Sequence, residues 1–125
     1  MAELRDIVVD CRRPSALARF WAAALDEYAV APYDDEEIAR LASLGIHDLA
    51  DDPTVLVTGP GLRLFFQLVP EGKVVKNRLH LDLTAADPET ETARLTGLGA
   101  SVLARYGRHV TLADPEGNEF CVMLA

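Results

Sequence analysis

Asn77-Arg78-Leu79-His80-Leu81-Asp82-Leu83-Thr84, followed by Asp87-Pro88, is the stretch on which the fold turns. Apolar and polar residues alternate strictly through it, the signature of a half-buried strand. Asp87 is a suitable cap, and Pro88 suits a first helical position, where its missing N–H is not needed. The helix that follows carries Ala93, Leu95 and Leu98 and stops at Gly97–Gly99. Three further strands are predicted at 101–105, 109–113 and 118–124, the last two joined by Asp114-Pro115-Glu116-Gly117, which suits a type I turn.

The same order stands in the first half. Residues 4–11 alternate and are β-branched at Ile7, Val8 and Val9, and Pro14 opens a helix with the stripe Leu17, Phe20, Trp21, Ala24. A short strand is predicted at 28–33, broken by Pro32, and then a capped acidic helix at 34–44. A polar loop at 48–53 precedes strands at 54–58 and 62–69, joined by Gly59-Pro60-Gly61. His80 lies eight residues before Pro88, as Asp6 lies eight before Pro14, and Phe66-Gln67-Leu68-Val69 matches Phe120-Cys121-Val122-Met123 in pattern. The chain therefore reads as one α+β domain over 1–125. It consists of two βαβββ modules, 4–69 and 77–124, and an internal repeat of this kind determines the whole fold.

Composition bounds the partners. The 125 residues are 50% hydrophobic and 26% charged, a globular balance, with a net charge of −8. An acidic surface repels nucleic acid and anionic membranes, and no run approaches the roughly 20 apolar residues of a membrane span. The charged start at residues 1–6 predicts no export signal, and Cys11 and Cys121 are expected as reduced thiols in a cytoplasmic protein.

The duplication, the 77–83 strand and the closing Asp114-Pro115-Glu116-Gly117-Asn118-Glu119-Phe120-Cys121 resemble the vicinal oxygen chelate superfamily. That group includes glyoxalase I, bleomycin-resistance proteins, fosfomycin-resistance enzymes and extradiol dioxygenases, and the small glyoxalase-like domain subgroup is the nearest in flavour. The resemblance implies cupped mixed sheets with helices outside, a ligand site in the concavity and a homodimer. Whether modules pair within or between chains stays open. In metal-using relatives each module supplies two ligands, from its first and fourth strands. The repeat places those positions at Asp6, Gln67, His80 and Cys121.

Strand parity puts all four on the open face, because alternate residues face opposite sides. Leu79, Leu81 and Leu83 are expected under a helix, as are Phe120, Val122 and Leu124. Arg78, His80, Asp82, Glu119 and Cys121 then face the other way, and His109 shares that parity on its own strand. The predicted ligand pocket is Asp6, Phe65, Gln67, His80, Asp82, His109, Glu119 and Cys121, with His80 the best catalytic candidate. Tyr28 and Tyr33 are further candidates for lining. The acidic helix is expected as a solvated face with a few docking leucines, with a lid over the pocket mouth as its functional alternative.

Cys121 stands where a family enzyme carries glutamate, which removes a hard oxygen ligand and an acid–base group. The expectation is thus a small-molecule-binding protein without an intact metal site and without a cofactor. One alternative is a divalent-metal lyase or isomerase holding its ion through His80, Gln67 and Asp6. The other is a non-catalytic dimeric module with a vestigial pocket. Whether the chain is an enzyme at all is left open by these residues.

Overall fold

The computed structural model describes residues 1–125, and they form two compact units, Met1–Glu71 and Gly72–Ala125. In the first unit the elements are β1 (Asp6–Cys11), α1 (Pro14–Ala24), β2 (Ala29–Val30), α2 (Asp35–Ser43), β3 (Thr54–Thr58) and β4 (Arg63–Leu68). The second contains β5 (Leu81–Ala85), α3 (Pro88–Leu98), β6 (Ser101–Arg105), β7 (His109–Ala113) and β8 (Glu119–Leu124). Each unit is a four-stranded mixed sheet, ordered β1-β4-β3-β2 in one and β5-β8-β7-β6 in the other. The first strand of each lies parallel to the fourth. The expected pair of βαβββ modules is therefore present, with a 3-10 turn at Leu49–Asp51 inside the stretch expected to be plain loop.

Helix α1 begins at Pro14 and buries Leu17, Ala18, Phe20, Trp21 and Ala24. They lie over Val55 and Val57 of β3 and Leu64 and Phe66 of β4, all at most 4% exposed. Phe20 and Trp21 meet edge to face, with centroids 5.3 Å apart. Full burial of each such side chain is worth about 1.5–3 kcal/mol, so this face holds the unit together. In the second unit Leu95 and Thr92 of α3 lie with Val110, Leu112, Phe120 and Val122 in an equivalent core. Asp87 caps α3 by accepting from the Glu89 and Thr90 amides, and Gly99, at φ 122°, ends it.

Four packing expectations are corrected, the first being Ala93, which is exposed on α3. Leu79 is 68% exposed, because β5 begins only at Leu81 and Leu79 precedes the ladder. Leu124 is 51% exposed at the last position of β8, and Leu98 is 40% exposed at the last position of α3. Thr92, which no apolar pattern marks, takes a buried position instead, and its hydroxyl has no hydrogen-bond partner.

Candidate functional site

On the first sheet, Val55, Val57, Leu64 and Phe66 face α1, so alternation turns Thr54, Leu56 and Phe65 to the opposite, open side. Leu56 and Phe65 are cross-strand partners and form the floor of a pocket of about 520 Å³. Tyr33 and Pro32 make one wall, and α2 brings Glu36, Glu37 and Arg40 to another. The helix stands there because Asp34 accepts the Glu37 amide at its N-terminus, three carboxylates occupy its first turn and Leu41 is fully buried. Helix α2 thus borders a pocket.

Asp52 anchors the wall. It is 3% exposed, accepts the Tyr33 hydroxyl at 2.7 Å, and accepts the Thr54 amide at 3.0 Å. Burial, and then the Asp52 carboxylate, push the Tyr33 phenol well above its ordinary pKa, so it remains a donor. Tyr28 has a different task. Its ring lies against Gly59, where a Cβ would collide with it, and its hydroxyl stands close to Gly61 and donates to the Leu62 carbonyl at 2.9 Å. Glycine is required at position 59 by this close approach.

The remaining predicted residues divide between the units. In the first, Asp6 accepts two hydrogen bonds from Arg63, at 2.7 and 3.1 Å, and a third from Arg5 at 2.9 Å. The Arg63 bond, more than that of Arg5, holds the carboxyl below its usual range against the opposing effect of burial. Asp6 pairs in register with Arg63, whereas Gln67 pairs with Asp10. Four ladder steps, about 13 Å at the usual rise, therefore separate Asp6 from Gln67. Gln67 sits beside Thr54 at the edge of the pocket floor.

In the second unit, His80, Asp82 and Cys121 converge: one nitrogen, one carboxylate oxygen and the thiol sulfur all lie within 4.8 Å of one another. His80 Nε2 stands 3.3 Å from Asp82 Oδ1, and Cys121 Sγ is 3.5 Å from the Thr111 hydroxyl. Asp82 and Cys121 are register partners, and His80 lies one residue before the strand. The donor set is an imidazole, a carboxylate and a thiol. Such a set suits a zinc-like ion better than manganese or magnesium, which favour oxygen-rich shells.

Glu119 and His109 are used elsewhere. Glu119 accepts from Lys73 Nζ at 3.2 Å and from the Asn77 amide at 3.0 Å, clasping the segment that leads to His80. Burial opposes its ionisation, but the Asn77 amide, its own backbone N–H and Lys73 overcome that and lower its pKa to about 2. His109 stacks on Tyr106 with centroids 4.7 Å apart. It pairs with Met123, two positions along the ladder from the Thr111–Cys121 pair.

Leu56, Asp52 and Arg40 were not singled out from sequence. Alternation around Val55 and Val57 would have marked Leu56, but nothing local distinguishes Asp52 from the acidic residues around it.

Comparison with known proteins bears on this geometry. A family model described as a glyoxalase-like domain matches residues 6–123. No curated protein matches the chain by sequence. Among solved structures, the fosfomycin resistance protein FosX from Mesorhizobium loti is similar at 13% identity and TM-score 0.69, over 98% of this chain and 91% of that one. A glyoxalase/bleomycin resistance protein/dioxygenase family enzyme from Burkholderia phytofirmans PsJN is similar at 12% identity and TM-score 0.70, over 98% of each. A FosX variant from Listeria monocytogenes, solved with Mn(II) and a dihydroxypropylphosphonic acid, is similar at 10% identity and TM-score 0.67, over 98% of this chain and 90% of that one. At these identities the likeness concerns the fold.

Proposed function

The chain belongs to the glyoxalase-like domain family, within the vicinal oxygen chelate superfamily, and on that basis we propose that it binds a small organic molecule on the open face of its first sheet without a resident metal ion. The observation that carries this reading is the pocket of about 520 Å³ floored by Leu56 and Phe65. Ligand pockets run to roughly 300–1,000 Å³ and combine an apolar lining with a few placed polar groups. Tyr33 and Asp52 are such groups, held to each other by a 2.7 Å hydrogen bond. A space of that size also weighs against a vestigial pocket filled by its own side chains.

The donor chemistry argues against a manganese-type centre. Asp6 is engaged by Arg63 and stands far from Gln67 along the sheet, and a thiol occupies the position of the family glutamate. A ligand screen by thermal shift on chelator-treated protein tests the proposal. Stabilisation by organic fragments in the absence of metal supports it, and stabilisation only after metal is added overturns it.

A second reading, a divalent-ion lyase or isomerase, is favoured by one observation, the convergence of His80, Asp82 and Cys121. Its ligands would be these three rather than His80, Gln67 and Asp6. Metal analysis of purified protein beside His80→Ala decides it, since equal metal content in both dismisses the site. Assembly as a homodimer belongs to the same proposal, and light scattering in solution tests it. No helix is long and apolar enough to cross a membrane.

A further inference from the structure

The pocket on the first sheet is unbalanced in charge. Asp34, Glu36, Glu37 and Asp52 line it against one cation, Arg40. Arg40 is already committed, donating to Glu37 through Nε at 3.0 Å and Nη2 at 2.6 Å. Asp52 is the informative member. It is 3% exposed, yet both its oxygens are met by neutral donors, the Tyr33 hydroxyl and the Thr54 amide. No salt bridge reaches it, and Arg40 interacts with it only at longer range. A buried carboxylate without a countercation is costly, and its field is little screened where water is scarce.

Beside this charge stands an apolar floor, Leu56 and Phe65, with the Tyr33 ring at the wall. The Arg63 guanidinium already lies over the Phe65 ring, 5.4 Å from its centroid, but its charge is paired with Asp6. The Tyr33 ring is the aromatic face left to attract a cation, and a net charge of −8 raises the local concentration of positively charged solutes. We propose that this pocket selects flat organic cations, an aromatic ring carrying an ammonium or guanidinium group. The ring lies against Leu56 and Phe65, and the cation turns toward Asp52 and Glu36. The inference rests on the reading that the pocket takes a small organic molecule, and it adds the charge of that molecule. A carboxylate or phosphonate on the same ring would meet three uncompensated like charges.

The test is calorimetric titration of the full chain with naphthylmethylammonium, naphthalenemethanol and naphthoate, which share one ring and differ in charge. The ammonium compound is expected to bind at least about tenfold more tightly than the alcohol, with the carboxylate weakest. The gap shrinks in about 0.5 M salt. Asp52→Asn and Glu36→Gln should each weaken the ammonium compound about three- to tenfold and leave the alcohol within about twofold. Glu36 is exposed on α2, so its variant decides the matter even if Asp52→Asn fails to fold. Equal affinity for all three compounds, or ammonium binding untouched by Glu36→Gln, overturns the charge selection while leaving the pocket. Failure of all three to bind, where the fragment screen still stabilises the metal-free protein, overturns the flat-cation inference alone; failure in both overturns the small-molecule reading.

Discussion

Replacing Glu119 by glutamine should convert a pH-dependent part of the stability into a constant one. The carboxylate is 15% exposed as a side chain and holds Lys73 and the Asn77 amide. Its pKa falls from 4.5 to about 2 on folding. At about 1.4 kcal/mol per pKa unit this is roughly 3 kcal/mol, and part-exposure of Lys73 brings the expectation to about 2–3 kcal/mol. The folded-state value lies below the unfolded one. The stabilisation is therefore complete above pH ~5.5 and lost as the pH falls through ~4.5 toward ~2, where the native carboxylate also protonates. Glutamine mimics the protonated acid throughout.

Urea denaturation of both proteins from pH 7 to pH 2 measures the difference, which cancels the other carboxylates common to the two chains. The gap should be about 2–3 kcal/mol at pH 7 and close to zero near pH 2. The Asn77 amide should lose hydrogen-exchange protection in the variant at neutral pH. A gap that is constant with pH, or no gap at pH 7, would refute the reasoning that this charge clasps the segment leading to His80.

Other outcomes follow from single contacts. Tyr33→Phe removes the donor to Asp52 and should cost about 1.5–3 kcal/mol by chemical denaturation, the range for a hydrogen bond to a charged group. Gly59→Ala forces the Tyr28 ring away and should cost about 1–3 kcal/mol, with a change in the near-ultraviolet signal of tyrosine. Leu95→Ala should cost about 2–5 kcal/mol, since the side chain is fully buried. Leu98→Ala, at a residue 40% exposed, should stay within about 0.5 kcal/mol, and a reversed order would show that α3 packs by its other stripe.

The doubling was legible because its signals are local. Pro14 and Pro88 open helices by a property of their own rings, and alternation around Phe66 and Phe120 marks the buried face without knowledge of any partner. Register was less legible. Counting back from the prolines equates Asp6 with His80, yet Phe66 pairs with Val9 and Phe120 with Leu81. On the ladder, Val8 is thus the counterpart of His80. The connection from strand to helix is two residues longer in the second unit, and a count along the chain cannot see where pairing begins.

The site was legible only in part, for a related reason. Parity turned Phe65, Asp82, Glu119 and Cys121 to the expected side, but parity says nothing of partners. Asp6 finds Arg63, 57 residues away, and Tyr33 finds Asp52, 19 away. Such pairings decide which polar groups are free to meet a ligand, and only the folded chain brings them together.

Backbone amide spectra of metal-free, isotope-labelled protein, titrated with naphthylmethylammonium, address the pocket directly. Perturbations gathered at Tyr33, Asp52, Leu56 and Phe65 are the predicted result. Perturbations confined to His80, Asp82 and Cys121, or none until zinc is supplied, would contradict it.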